Sequence, residues 1–385
     1  MGPFATHILA DLGADVIKIE APEGDILRAY EPQRSEGMAG IFLHLNRNKR
    51  SVVLDLKSTE ARSALDRLIA TSDVFLHALR PKAISRLGYD YDHVRTLRDD
   101  IIYCGAYGFG KAGCYADKAA YDDLIQAGSG LASLQGILHG KVGYVPTVIC
   151  DKAAGQAIAN AILAALYHRA VRGQGQSLEV PMYETMVEFN MIEHMGGLSF
   201  EPPEGRAGFS RVLNPSRRPF KTKDGYACIL PYTDRNWRDF FLLIERPDLA
   251  ADASVATIVS RTKIIGELYE EVAKAALLRP TSEWVEACDR LSIPCMPLLS
   301  LDELVMDPHL QQVGFFQIEE HPTEGTYRSM RSPTNFSKTP YKLRRHAPKL
   351  GENTAELLKE VGCSAPEATA LAGKPTGKSS NREAV

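Results

Sequence analysis

"GYVPTVICDKAAGQAIANAILAALYHRAVRGQGQ", residues 143–176, joins a short apolar run to a long helix rich in alanine. Ala, Ile, Leu and Tyr occupy this helix on almost every face, until the glycines of "RGQGQ" end it. A helix that is apolar on most faces is buried in its own protein or packs on another subunit. The stretch therefore predicts a central helix that begins close to Asp151.

Asp151 stands where the predicted helix begins, and two interpretations of it are open. Aspartate is a favoured N-cap, because its carboxylate accepts hydrogen bonds from N–H groups that have no partner within the helix. The helix dipole also keeps a carboxylate ionised at this position, as a carboxylate nucleophile requires. The local sequence alone does not separate a structural cap from a nucleophile.

Short β-rich runs alternate with helical patterns through the first half of the chain. The predicted strands are 14–20, 51–56, 73–79 and 101–107, and "SLEVP" starts another at residue 177. The predicted helices are 3–12, 59–71 and 90–98. This alternation indicates βαβ units and a parallel sheet covered by helices, so the predicted fold class is α/β.

The character of the sequence changes near residue 200. "SFEPPEGRAGFSRVLNPSRRPFKTKDG" is rich in Pro, Gly and Arg, which is typical of a linker. Short strands such as "YACILPY" and helical segments around Trp237 and Trp284 then predict a smaller α+β domain. The predicted plan is the N-terminal part of a large domain (1–200), a linker (201–217), the small domain (218–305), and a linker with a returning C-terminal segment (306–385) that ends in a disordered tail from about 373.

The composition excludes several classes of protein. The net charge of -3 provides no basic field for nucleic acid or an anionic membrane. The sequence shows no leader pattern and no apolar run of about 18 residues or more. The 7 cysteines include no CxxC pair and the 10 histidines show no metal-ligand spacing. We therefore expect a reduced, cytoplasmic protein without a metal ion.

Gly108-x-Gly110-x-x-Gly113 follows a predicted strand and is the only familiar nucleotide-binding pattern in the sequence. A dinucleotide fingerprint runs straight into a helix and is followed about 20 residues later by an acidic residue. Here the glycines lead instead into the polar loop "CYADKAAYDD", which argues against a nicotinamide cofactor. No P-loop, HExxH or GxSxG pattern occurs.

A series of blocks follows in one order along nearly the whole chain. They are "GPFATHILADLGADVIKIEAPEGDILR", "NRNKRSVVLDLKS", "RPKAISRLGYDYD", "YGFGKAGCYADKAAYDDLIQAGSGL", "DKAAGQAIANAILAALYHRAVRGQGQSLEVPMYE", "SIPCMPLLSLDELVMDPHLQ" and "LGENTAELL". These blocks resemble the class III CoA-transferases, which include formyl-CoA and carnitine CoA-transferases and have 2-methylacyl-CoA racemase as a close relative. The resemblance implies a large Rossmann-like domain and a smaller α+β domain in a ring-shaped chain, two of which form an interlocked homodimer.

The resemblance also gives Asp151 a role. In the transferases the aspartate that opens the helix after the "VP" strand is the nucleophile, and Asp151 occupies that place. The implied reaction moves CoA from an acyl-CoA donor to a carboxylic acid acceptor through covalent aspartyl intermediates. Acyl-CoA and small carboxylic acids are then the substrates, and no tightly bound cofactor is implied.

Tyr121 and Asp122 in "AAYDDL" match a pair that lies beside the thioester in the family. The alternative is a loop tyrosine and another helix cap. In the racemase branch a histidine precedes the matching aspartate, and the residue matching Asp151 is the other acid/base. Tyrosine, with a pKa near 10, is a poor general base at neutral pH. We therefore favour transfer over racemisation.

Binding of CoA requires cations for its phosphates and an apolar slot for its pantetheine arm. The candidates at family-matched places are Arg28, Lys49, Arg50, Leu54, Lys57 and Arg80. For each of them the alternative is a solvated surface charge or an ordinary core leucine. Four arginines in the linker, Arg206, Arg211, Arg217 and Arg218, are a further candidate clamp for a second carboxylate, with a solvated linker as the alternative.

The sequence departs from the family at three places. Family members have a first strand and a CoA-contacting loop ahead of the motif that here is Gly2-Pro3, so we expect an empty sheet position, from a start upstream or a degraded copy. His77-Ala78-Leu79 stands where many members have Asn and Phe. The glycine-rich flap of formyl-CoA transferase has no counterpart near 214–226, which argues against that substrate pair. A catalytically impaired CoA-binding protein is therefore a third hypothesis, against which the intact Asp151 weighs.

Overall fold

A computed structural model of the chain describes residues 1–372, so the tail predicted from about 373 lies outside the described residues. The strands are β1 (Val16–Glu20), β2 (Lys49–Val53), β3 (Val74–His77), β4 (Ile102–Tyr107), β5 (Gln176–Pro181), β6 (Phe220–Lys221), β7 (Tyr226–Ile229), β8 (Cys295–Pro297), β9 (Phe316–His321) and β10 (Gly325–Met330).

The helices of the first half are α1 (Gly2–Asp11), α2 (Gly40–Asn46), α3 (Thr59–Ala70), α4 (Pro81–Leu87), α5 (Tyr91–Leu97), α6 (Asp122–Gly128), α7 (Leu131–His139), α8 (Ile149–Arg172) and α9 (Met182–His194). Those of the second half are α10 (Asp234–Leu243), α11 (Pro247–Ala250), α12 (Ile258–Ala276), α13 (Thr281–Arg290), α14 (Leu301–Leu304), α15 (Pro308–Gln312), α16 (Thr354–Glu360) and α17 (Ala365–Ala372). Short 3₁₀ turns lie at Ile26–Ala29 and Gly196–Ser199. Among residues 1–372, no helix has both the length and the apolar character needed to cross a membrane.

The chain divides into two compact units. Among the described residues, the first contains Met1–Ser129, Val145–Phe189 and 309–372, and the second contains Gly130–Tyr144 and Asn190–Pro308. The first unit is mixed α/β, as the alternating pattern predicts, and all five strands β1 to β5 pair in parallel. The domain limits drawn from the sequence stay a prediction.

The parallel strands of the first unit form two separate sheets, one of β1 and β2 and one in the order β3-β4-β5. The single parallel sheet predicted from the sequence is therefore wrong in this respect. A cavity of about 780 Å³ is lined by residues of both β1 and β3, each of which has a neighbouring strand on one side only. Strand β4 has neighbours on both sides and is buried along its whole length.

Strand β2 begins and ends earlier than the predicted 51–56. It pairs residue by residue with β1, from Val16 beside Lys49 to Glu20 beside Val53, and so ends where β1 ends. Beyond it, the Asp55 side chain accepts the Lys57 N–H at 3.1 Å and begins the turn into α3. Lys49 and Arg50 are consequently strand residues, although their charge is typical of a loop.

Helix α8 is the central helix that the opening stretch predicts. It ends at Arg172, where Gly173 adopts a positive φ of 71° that favours glycine. One face, including Ile158 and Ile162, packs with α1 and β4 in a buried cluster. Gly155 allows α1 to approach closely, because an added Cβ would lie 3.0 Å from both the Met1 carbonyl oxygen and the Phe4 ring.

The second unit has its own core around an antiparallel sheet in the order β6-β7-β8. Trp237 of α10 and Trp284 of α13 are both buried there, and the Trp284 indole N–H donates to the Ala276 carbonyl at 3.0 Å. The strand and the helices predicted around these tryptophans are confirmed. An aromatic core of this kind provides a large buried apolar area for a small unit.

Candidate active site

Asp151 lies in the first turn of α8, as its third residue, and the N-cap residue is Val148. The interpretation of Asp151 as the N-cap is therefore wrong. Its side chain is 37% exposed, and Oδ1 accepts a hydrogen bond of 2.6 Å from the Met1 ammonium group. The first-turn position places the carboxylate where the helix dipole favours negative charge.

Asp122 carries out the capping that the sequence assigns to Asp151. It is the first residue of α6 and only 6% exposed, and its Oδ1 accepts the backbone N–H of Asp151 at 3.0 Å. Val148 has no oxygen in its side chain and provides no side-chain cap for α8. A carboxylate from another helix thus binds a first-turn N–H group, and the Asp151 carboxylate is left partly exposed.

Gln126 completes this arrangement and was missed by the sequence reasoning. Its side-chain amide donates to Asp122 Oδ2 at 2.7 Å and accepts the Val145 N–H at 2.8 Å. The signal that was available is the spacing, since residues four apart on a helix lie on the same face and Gln126 follows Asp122 by four. The structure thus brings Asp122, Gln126 and Asp151 together.

Tyr121 is the N-cap residue of α6, and its side chain is 80% exposed.

The thiol of Cys150, the residue before Asp151, is buried, and burial is the main cause that raises its pKa to about 12. The negative charges of Asp122, Asp151 and Asp123 contribute to this increase. Cys150 therefore stays protonated at neutral pH, and the partly exposed carboxylate of Asp151 is the more accessible of the two adjacent groups.

Three of the predicted CoA contacts, Lys49, Leu54 and Lys57, line the 780 Å³ cavity. Lys49 is almost completely buried, and its ammonium donates to the Pro3 carbonyl at 2.9 Å and to Asn46 Oδ1 at 3.1 Å. Burial lowers the pKa of Lys49 well below its usual value. Leu54 is buried in the apolar core, whereas Lys57 is exposed.

Arg28 and Arg50 are engaged by carboxylates of the chain itself. Arg28 donates twice to Glu20, at 2.7 and 2.8 Å, and its guanidinium lies 3.8 Å from the centre of the Phe42 ring. Arg50 donates to Glu360 at 2.8 Å and forms a further ion pair with Asp15. A phosphate at either guanidinium would have to replace these carboxylates.

Arg80 lies apart from these two arginines, at the start of α4. It lines a second cavity, of about 630 Å³, together with Lys82, Arg86 and Asp117. The Arg80 guanidinium donates to the Asp117 carbonyl at 3.1 Å, and the Lys82 ammonium pairs with the Asp117 carboxylate at 2.5 Å. Lys82 and Arg86 were missed, although basic residues four apart in "RPKAISR" predict cations on one face of a helix.

The glycine motif at 108–113 lies in a loop, and two of its amides already have anionic partners. The Gly110 N–H donates to Glu184 Oε1 at 3.0 Å and the Lys111 N–H to Glu179 Oε1 at 2.5 Å. These carboxylates occupy the donors that a nucleotide phosphate would use. In the part of the chain that is described, no three His, Cys, Asp or Glu residues are placed to hold a metal ion.

Comparison with known proteins identifies the family. The family model described as "CoA-transferase family III" matches residues 1–354. The chain belongs to CoA-transferase family III. A curated relative, the succinate–glutarate CoA-transferase of Agrobacterium fabrum, is 32% identical over 371 residues, covering 94% of this chain and 92% of the relative. The names of such relatives indicate that the protein is a class III CoA-transferase.

A second relative is the formyl-CoA:oxalate CoA-transferase of Escherichia coli, 29% identical over 393 residues, with 96% of this chain and 94% of the relative covered. The crystal structure of a CAIB/BAIF family protein from Brucella suis is similar to this CoA-transferase with a TM-score of 0.77 and 28% identity. That match covers 93% of this chain and 95% of the other. The predicted family is thus confirmed.

Proposed function

We propose that this CoA-transferase moves CoA from an acyl-CoA donor to a carboxylic acid through covalent intermediates on Asp151. The observation that carries the proposal is that two carboxylates have different roles at the start of α8. Asp122 binds the Asp151 N–H at 3.0 Å, and the Asp151 carboxylate stays partly exposed in the first helical turn. Such a carboxylate lies where the helix dipole favours negative charge, and its exposed side can approach a substrate.

The steps follow from carboxylate and thioester chemistry. An Asp151 oxygen attacks the thioester carbon of the donor, the C–S bond breaks, and CoA leaves as thiolate from a mixed anhydride. The thiolate then attacks the aspartyl carbon and releases the donor acid, leaving an aspartyl-CoA thioester. The acceptor carboxylate attacks this thioester, forms a second mixed anhydride with Asp151 and expels CoA thiolate. The thiolate then attacks the acyl carbon of the acceptor, which forms the new acyl-CoA and regenerates the Asp151 carboxylate.

The basic cavity at α4 is the best candidate for the CoA phosphates. Arg80, Lys82 and Arg86 converge on it, with one carboxylate, that of Asp117, among them. Phosphate contacts add affinity without touching the reacting atoms, so Arg86→Ala should raise the KM for acyl-CoA about tenfold and leave kcat nearly unchanged. We also propose contacts to CoA from Arg28, Lys49, Arg50, Leu54 and Lys57. Arg28 and Arg50 would first have to leave their present ion-pair partners.

Dicarboxylic acids are the proposed substrate class. The names of both relatives contain dicarboxylates, namely succinate and glutarate in one and oxalate in the other. A transferase of this kind needs a cation for the carboxylate that does not react, and Arg206, Arg211, Arg217 and Arg218 are the candidates within the second unit. A panel of acids with one or two carboxylates would separate this class from monocarboxylates.

The protein is proposed to work as an interlocked homodimer of ring-shaped chains. Leu163, Tyr167 and Val171, spaced four apart along α8, are exposed apolar side chains on one face of the helix. An exposed apolar stripe on a long helix is typical of a surface that another subunit covers. Light scattering coupled to size exclusion tests this, and a stable monomer at micromolar concentration would contradict it.

Racemisation is the competing reaction, since it needs an acid and a base on opposite faces of an α-carbon. Two observations favour transfer. Tyr121 has its side chain exposed to solvent, and Asp122 is buried with both oxygens in hydrogen bonds. Asp122 in this arrangement serves the helix and is not open to a substrate proton.

Mass spectrometry with hydroxylamine tests the proposal directly. The protein is mixed with succinyl-, glutaryl-, oxalyl- and 2-methylacyl-CoA, and activated carboxylates are trapped as hydroxamates. A donor-dependent hydroxamate on the peptide that contains Asp151, absent from Asp151→Ala, is the expected result. If CoA binds and no donor labels this peptide, the proposal fails, and deuterium wash-in at the α-carbon then separates a racemase from an impaired CoA-binding protein.

A further inference from the structure

We infer that Gln126 is a positioning residue for Asp151, and that its side-chain amide holds the start of α8 in the reactive arrangement. The inference rests on the proposed function, because it assigns a role toward the proposed nucleophile. Gln126 is 1% exposed and lies one helical turn after Asp122 on α6. A buried amide requires polar partners, and those of Gln126 all belong to the segments around Asp151.

The Gln126 amide uses both of its ends. Nε2 donates to Asp122 Oδ2 at 2.7 Å and lies 3.3 Å from the carbonyl oxygens of Val145 and Thr147. Oε1 accepts the Val145 N–H at 2.8 Å. One planar group thus joins α6 to the loop that leads into α8. Only a side chain with a donor and an acceptor on the same planar group can form this set.

The consequence for Asp151 passes through Asp122. One oxygen of that carboxylate is held by Gln126 and the other receives the Asp151 N–H. Rotation of the carboxylate would break both bonds, so Gln126 fixes the side-chain orientation of Asp122 and Asp122 fixes the backbone at Asp151. A displacement of about 1 Å at a reacting group can cost about a hundredfold in rate. The amide therefore acts on turnover although it does not touch the substrate.

Gln126→Glu separates positioning from simple packing, because its effect depends on pH. A protonated glutamic acid donates its O–H to Asp122 and accepts from Val145, as the amide does, whereas an ionised one faces the Asp122 carboxylate with no donor. Burial and the Asp122 charge both raise the pKa of this new carboxyl, so the protonated form is favoured as pH falls. The titratable groups on the segments around the position are Asp122, Asp123, Asp151, the Cys150 thiol, the Met1 ammonium and Lys152, whose ammonium donates to the Thr147 hydroxyl at 2.7 Å.

The measurement is kcat with the best labelling donor, expressed as variant over wild type at each pH so that shared titrations cancel. We expect Gln126→Glu to lose at least about tenfold near pH 8 and to come within about threefold of wild type near pH 5.5. Gln126→Leu should lose about a hundredfold at both pH values, with the KM for acyl-CoA changed less than about threefold. Gln156→Glu on an exposed face of α8 is the matched control and should follow wild type throughout.

Two outcomes overturn the inference. One is a kcat of Gln126→Glu that equals that of wild type at both pH values. The other is a loss of kcat in Gln126→Glu that is the same at both pH values while circular dichroism shows a folded protein. If Gln126→Leu does not fold, Gln126→Glu near pH 5.5 still carries the test, since the protonated side chain preserves shape and hydrogen bonds. A wild-type protein that no donor labels contradicts the proposed function, whereas a labelled wild type with unresponsive variants contradicts only the role of Gln126.

Discussion

Helices α8 and α10 start in different ways. Helix α10 is capped by its own sequence: the Thr233 hydroxyl accepts the Asn236 N–H at 3.1 Å, and Asn236 returns a bond to Thr233 at 3.2 Å. Helix α8 has Val148 as its N-cap residue, and its Asp151 N–H binds Asp122, which lies 29 residues before Asp151 in the chain. A local cap uses the polar side chains of its own first turn. A cap from a distant residue releases them from capping, and at α8 the side chain so released is Asp151, which instead binds the Met1 ammonium group.

Loss of the Asp151 carboxylate should have the largest effect on turnover. Asp151→Asn should lower turnover by at least about a thousandfold, because the proposed nucleophile is lost. The denaturant midpoint should change little, since another residue caps the helix. Asp123→Asn, an exposed neighbour of the same charge, is the control and should retain activity. An Asp151→Asn protein that is markedly unstable would mean that Asp151 does support the helix start after all.

Removal of the distant cap should affect both properties. Asp122→Ala leaves the Asp151 N–H and the Gln126 amide without their acceptor, and we expect the free energy of unfolding to fall by about 1–3 kcal/mol. Turnover should fall about a hundredfold as the Asp151 backbone moves. Urea titration and steady-state kinetics on the same samples provide the two numbers. Asp122→Asn, which can still accept the Asp151 N–H, should lie between alanine and wild type in both.

Gly155 tests whether the packing of α8 near its start contributes as well. The Cβ of Gly155→Ala would press on Met1 and Phe4 at 3.0 Å, so α1 must shift. We expect a loss of about 1–2 kcal/mol in stability and a severalfold loss in turnover. Gln156→Ala, at the adjacent exposed position, is the control. Equal activity of Gly155→Ala and wild type would mean that the site depends on the cap from Asp122 and not on the packing of α1 against α8.

The smallest effect on activity is expected at the locally capped helix. Thr233→Ala should cost about 1 kcal/mol of stability, the usual value for a lost N-cap, and leave turnover unchanged. Thr257→Ala at the start of α12, which has a similar capping box, should behave in the same way. A loss of turnover in Thr233→Ala as large as that in Asp122→Ala would show that capping in general, and not the cap at Asp151, limits the reaction.

The sequence predicted those features that local patterns encode. The alternation of strands and helices, the long helix at 149–172 and the tryptophan-rich elements of the second unit were all available from spacing and composition. Asp151 was correctly placed at the start of its helix, although it is the third helical residue and not the N-cap. The motifs of the family identified the enzyme class, and the family comparison confirmed it.

The features that the sequence did not predict depend on residues far apart in the chain. Asp122 accepts the Asp151 N–H, and the only local feature that marks Asp122 is that it begins a helix of its own. Arg50 appeared to be free for a phosphate, but it pairs with Glu360, 310 residues later. The separation of the parallel strands into two sheets is set by strand pairing, which hydrophobic alternation does not report.

The two sheets of the first unit have a consequence for amide hydrogen exchange. Strands β1 and β3 each have a neighbour on one side only, and both border the same cavity. Amide protons on their outer edges should exchange with deuterated solvent much faster than those of β4, which is paired on both sides. Fast exchange is therefore expected at the strand edges that border the cavity as well as at the margins β2 and β5, whereas an unbroken sheet has such edges only at its margins.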